Sequence, residues 1–112
     1  MTVEQRTISH PGPDEIQLEA VLHALSDPMR LRIVSELAAS GGERRCGSFD
    51  SPVSKSTMTH HFKVLRETGV IHQRQEATLR LTSLRREDLD SRFPGLLDRI
   101  LEAAQERALA GA

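Results

Sequence analysis

A mainly α fold with one small β-hairpin is what this 112-residue sequence predicts. Three observations carry the expectation. Apolar residues recur at helical spacing in four segments, near 14–25, 28–40, 54–69 and 94–108. Between the last two the period falls to about two, as it does in strands. Ser, Asp, Pro and Gly stand at the points where these patterns start and stop.

In order, residues 1–13 end in HPGP without apolar period and read as a flexible N-terminal arm. Asp14 is placed to cap a first helix running to about Leu25. Ile16, Leu18, Ala20, Val21, Leu22, Ala24 and Leu25 cover more than one of its faces, so it needs both its own core and a second subunit. Asp27-Pro28 opens the next helix, since proline at the first helical position loses no hydrogen bond. Its row is Met29, Ile33 and Leu37, with Arg30 and Arg32 expected outward, solvated or salt-bridged, or touching backbone phosphate. Ser40-Gly41-Gly42 ends it. Residues 43–53, ERRCGSFDSPV, support no more than a single helical turn.

The stretch SKSTMTHHFKVLRETG, Ser54 to Gly69, divides into two faces when wound as a helix. Met58, Phe62 and Leu65 form an apolar stripe, widened by Val64. Lys55, Ser56, Thr57, Thr59, His60, Lys63 and Arg66 lie on the other side. Ser54 is a good N-cap and Gly69 a good stop. Hydroxyls and an imidazole at the start of such a helix can hydrogen-bond base edges, and cations can meet phosphates, as in the second helix of a helix-turn-helix. A solvated helix surface looks similar, and composition alone leaves both readings open.

After Gly69, segments 70–75 and 78–82 read as antiparallel strands turning at Glu76-Ala77, with Leu79 and Leu81 inward. Residues 83–93 read as a helical turn and connector. Pro94 then opens a last helix whose stripe is Leu96, Leu97, Ile100, Leu101, Ala104 and Ala108, a surface that wants a partner helix.

Net charge is −1, but residues 51–80 hold five cations (Lys55, Lys63, Arg66, Arg74, Arg80) against two acids (Glu67, Glu76). A near-neutral chain with one basic region can still bind nucleic acid. No apolar run spans a bilayer and no signal segment is evident, so a cytoplasmic protein without membrane contact is expected. A single cysteine, Cys46, suits a reducing compartment. Phosphate-cradling glycine loops, nucleophile motifs and paired carboxylates in a plausible cleft are missing, so neither an enzyme nor a cofactor is expected.

From Ser54 to Ile71 the chain matches S-x-S-T-x-(S/T)-x-H-(L/F)-x-x-L-x-x-x-G-(L/V)-(I/V), which resembles the recognition-helix signature of the ArsR/SmtB family of winged-helix repressors. The likeness extends to LSDPMRLRIVSEL before it and the paired strands after it, over about residues 15–108. It implies a winged helix-turn-helix over 14–110, homodimeric through its first and last helices, that binds an inverted-repeat operator in double-stranded DNA. The DNA-binding set would be Lys55, Ser56, Thr57, Thr59, His60, Lys63 and Arg66, with Arg74, Gln75 and Arg80 on the wing. The dimer set would be Ile16, Val21, Leu22, Leu25, Leu97, Ile100, Leu101 and Ala104. His61, at the family's histidine position, is expected to be packed.

Metal-sensing members use a Cys-x-Cys pair or Asp, His and Glu ligands on the last helix. Here there is one cysteine, and His10, His23, His60, His61 and His72 all precede that helix. No metal site is therefore expected, and the inducer, a small molecule in this reading, stays unidentified. Cys46 is either a small packed residue or, beside Arg44 and Arg45, a redox switch. The competing readings are a redox-responsive repressor and a winged-helix module for protein contact. The retained hydroxyls and cations favour DNA over the latter.

Overall fold

The computed structural model describes residues 8–110, with side chains through Arg107. Helices α1 (Leu18–Ala24), α2 (Pro28–Ser40), α3 (Lys55–Glu67), α4 (Arg86–Arg92) and α5 (Leu96–Ala110) surround a three-stranded antiparallel sheet. Its strands are β1 (Arg44–Arg45), β2 (Ile71–Glu76) and β3 (Leu79–Leu84), in the order β1-β3-β2. This is a winged helix-turn-helix. Among the described residues no helix is long and apolar enough to cross a membrane.

The core forms where the apolar faces meet. Ile33, Val34 and Leu37 of α2 and Phe62 and Leu65 of α3 pack with Val70 and Ile71 at the start of the wing. Asp27 caps α2 by accepting from the amides of Met29 and Arg30 at 2.9 and 3.1 Å. Burial alone would raise its pKa, but these amides and nearby His61 hold it below the usual value. The segment between α2 and α3 contains one 3-10 turn, Cys46–Ser48. Phe49 anchors it against Phe62 at 5.5 Å, with the Arg44 guanidinium 4.0 Å above the Phe49 ring.

α3 ends in a hydrogen-bond pair in which the Val70 amide reaches Leu65 O and the Gly69 amide reaches Arg66 O. Gly69 has φ +89°, and a Cβ there would lie 2.6 Å from Ile16 Cγ1. Glycine is required twice over, by the backbone and by the neighbour.

Several expectations change. The first helix does not begin at Asp14. Residues 13–15 form a 3-10 turn closed by Glu15 bonding the Gly12 amide, and Ile16 is extended before α1 starts. The reason is Ile16 itself, which is 1% exposed and plugs the space above Gly69. Of the arm expected over 1–13, residues 1–7 lie outside the described residues, while 8–13 are held. His10 Nε2 accepts the Gln73 amide at 3.0 Å, and Arg85 donates to Pro11 O at 2.8 Å.

The third strand, β1, was not expected, and it pairs Arg44 with Thr82. The hairpin turns at 77–78, since Glu76 pairs with Leu79. Ala77 takes φ +55° there, and Leu79 is 40% exposed instead of inward. The buried phase of β3 runs through Thr82, 0% exposed, so Leu79 and the half-buried Leu81, both expected inward, fall on the opposite phase. α5 starts at Leu96, after a Pro94-Gly95 turn with Gly95 at φ +81°.

Arg30 does not face outward. It is buried, with Nε donating to Ala24 O at 2.7 Å. Of the residues expected at a dimer interface, Ile16, Val21, Leu25 and Leu97 lie in the subunit's own core and retain almost no surface for a partner. Leu22 is 46% exposed, and Ile100, Leu101 and Ala104 are half-buried.

Candidate nucleic-acid interface

The reading face is built by what its opposite side buries. Met58, His61, Phe62 and Leu65 are all within the core. His61 Nδ1 lies 3.3 Å from Arg30 Nη1, and His61 Nε2 lies 3.8 Å from Asp27 Oδ2, so a buried polar contact fixes the rotation of α3 against α2. That rotation turns the adjacent His60 outward. Lys55, Ser56, Thr57, Thr59, His60 and Lys63 are all exposed on one side of α3, and no acidic residue stands among them.

Without DNA the hydroxyls have local partners. Ser54 Oγ caps the helix by accepting the Thr57 amide at 3.2 Å and donates to Thr57 Oγ1 at 3.0 Å. Thr59 Oγ1 donates to Lys55 O at 3.0 Å. Such exposed bonds exchange readily for bonds to a ligand, because water competes for them already.

Two arginines in the expected DNA-binding set have other work. Arg74 grips Glu43 at 2.7 and 2.9 Å and also pairs with Glu76 at 3.1 Å. Its bond holds the Glu43 carboxyl below the usual range, and Glu43 in turn raises the pKa of Arg74. Arg66 is half-buried and donates to Gln73 Oε1 at 2.8 Å. On the wing, Gln75 donates to Ala77 O at 3.2 Å and accepts from Arg80 at 3.4 Å, leaving both side chains exposed near the tip.

Cys46 is half-buried. Its Sγ lies 3.0 Å from Thr82 Oγ1 and accepts from Gln73 Nε2 at 3.2 Å. Gln73 and Arg30 are the polar residues whose roles sequence reasoning missed. Gln73 occupies the inward phase of β2 beside Ile71, and a polar residue in that phase is the signal that marks it. Among the described residues, no group of three or more His, Cys, Asp or Glu gathers in a way that could hold a metal ion.

Residues 25–74 match the family model described as a helix-turn-helix domain. The chain is 36% identical over 87 residues to the HTH-type transcriptional regulator YceK of Bacillus subtilis (strain 168), covering 76% of this chain and 86% of that protein. Among solved structures, an ArsR family transcriptional regulator superposes with a TM-score of 0.60 at 18% identity, covering 85% of this chain and 97% of that one. The transcriptional repressor BigR from Xylella fastidiosa gives 0.55 at 25% identity, over 68% and 85%. An ArsR-like transcriptional regulator from Rhodococcus sp. RHA1 gives 0.59 at 26% identity, over 84% and 87%. The chain therefore belongs to the ArsR-like winged helix-turn-helix transcriptional regulators, proteins that act on DNA.

Proposed function

We propose that the protein is a dimeric repressor that binds an inverted-repeat operator and releases it in response to a small-molecule inducer other than a metal ion. The observation that carries the reading is the face of α3, where every residue from Lys55 to Lys63 except Met58, His61 and Phe62 is exposed and none is acidic. In this reading Ser56, Thr57, Thr59 and His60 meet base edges in the major groove, while Lys55 and Lys63 meet phosphates. Gln75 and Arg80 reach the adjoining minor groove from the wing. Arg74 contributes little, because two carboxylates already hold it.

Residues 14–110 would serve as one DNA-binding and dimerisation unit. The partner subunit would cover Leu22, Ile100, Leu101 and Ala104, which the subunit leaves at least partly open. The cytoplasm, where a lone thiol stays reduced, is the compartment this reading implies.

Footprinting on DNA upstream of the protein's own gene tests it. Two protected half-sites about one helical turn, or a multiple, apart are expected. Thr57→Ala and His60→Ala should each weaken binding by about 1–3 kcal/mol and relax the preference at one position. If both variants kept the affinity and the site preference, α3 would not be reading DNA.

A further inference from the structure

Gln73 is 1% exposed and in the middle of β2, yet every hydrogen-bonding group of its side chain is used. Its carbonyl oxygen accepts from Arg66 Nη1 of α3 at 2.8 Å. Its amide nitrogen donates to Cys46 Sγ at 3.2 Å and to Thr82 Oγ1 of β3 at 3.1 Å. One primary amide thus joins the end of the reading helix to both strands of the wing and to the turn that precedes that helix. A buried amide is costly unless all its groups are satisfied, and a satisfied one admits very few geometries. Apolar packing would hold the same elements together without fixing their angle so narrowly.

We infer that Gln73 is a positioning residue for DNA binding. With Arg66 as its strut, it sets the angle between α3 and the wing so that helix and hairpin meet one duplex together. Arg66 accordingly acts inward, through Gln73, instead of neutralising a phosphate. The inference rests on the reading above in which the wing touches DNA.

The test uses the full-length protein on the operator fragment that footprinting defines, with hydroxyl-radical cleavage and a salt titration. Wild type should protect the half-site centres and the flanking minor groove. Gln73→Leu should keep the centres, lose the flanks, and bind at least about tenfold more weakly, the factor expected when the wing's charged bond to DNA is lost. Gln73→Glu, whose carboxylate still accepts from Arg66 and to which the Thr82 hydroxyl can turn to donate, should restore the flanks. Arg66→Met should behave like Gln73→Leu, with the same salt slope, because both lose only what the wing contributes. It also serves if Gln73→Leu does not fold, since Arg66 is partly exposed.

Flanks that persist in Arg66→Met, with a salt slope reduced by about one per subunit, would make Arg66 a phosphate contact and overturn the inference. Flanks that persist in a folded Gln73→Leu would overturn it too. A wild-type protein that never protects the flanks would instead overturn the role of the wing itself.

Discussion

Gly69→Ala probes the junction between the reading helix and the wing. Alanine at φ +89° costs roughly 1–2 kcal/mol for the left-handed backbone. Lower entropy of the unfolded chain returns roughly 0.4–1 kcal/mol of that. The larger effect is steric. A new Cβ would stand 2.6 Å from Ile16 Cγ1, about 1 Å inside normal carbon contact. Ile16 is 1% exposed and has little room to retreat, so overpacking adds about 1–3 kcal/mol. The net loss should be about 2–4 kcal/mol.

Ile16→Ala alone should cost about 2–5 kcal/mol, as buried isoleucines do. In the double variant the colliding atom is gone, so the losses should fall short of additivity by about 1–3 kcal/mol. Urea unfolding of the four proteins, followed by circular dichroism at constant m-value, measures this directly. Strict additivity, or a Gly69→Ala loss below about 1 kcal/mol, would refute the claim that Ile16 plugs that space.

Three further outcomes are expected. Burial, aided by the His72 ring and the Arg85 and Arg66 guanidiniums, holds His10 below its ordinary pKa, so its contribution to stability is full above about pH 6.5 and lost as pH falls through the folded-state value; NMR titration should place its midpoint below 6.5, and His10→Gln should flatten the acid side of the stability profile. Lys63→Gln should reduce the slope of log affinity against log salt by about one per subunit of the dimer, whereas Arg74→Gln, already paired with Glu43 and Glu76, should change it far less; equal changes would mean that DNA draws Arg74 from its carboxylates. Leu22→Asp with Ile100→Asp should yield a folded monomer by sedimentation and abolish operator binding, because a carboxylate stranded in an apolar interface costs several kcal/mol; a dimer of undiminished affinity would place the interface elsewhere.

The elements with strong periodicity are legible in the sequence itself. α2 and α3 lie where Asp27-Pro28 and Ser54 place their starts, because those caps act within one turn and owe nothing to distant residues. The outward face of α3 is legible for the same reason. What escapes the sequence depends on contacts between remote segments. Ile16 fits the pattern of a first helix, but its extended conformation is dictated by Gly69. Arg30 occupies a position that a helical wheel leaves to solvent, and only the end of α1 and His61 in the middle of α3 make it buried. Two arginines cannot announce a strand, and β1 exists because Thr82 and Leu81 offer an edge to pair with. Arg66 and Arg74 carry the right charge for DNA, but sequence does not reveal which carboxylate or amide will claim a cation first.

The contact of His10 with β2 bears on how the protein stays apart from its own copies. An open strand edge is a template on which another chain can add, and a three-stranded sheet has two such edges. β1 spans only two residues, too short to recruit a neighbour. β2 is six residues long and, among the described residues, has no strand on its outer side. There the Gln73 amide, facing outward, is occupied by the His10 imidazole, and the charged side chains of Arg74 and Glu76 follow directly after it. The segment before α1 thus guards the sheet against runaway β-pairing. The guard is chemical as well as steric, since the imidazole accepts that amide only while it is neutral.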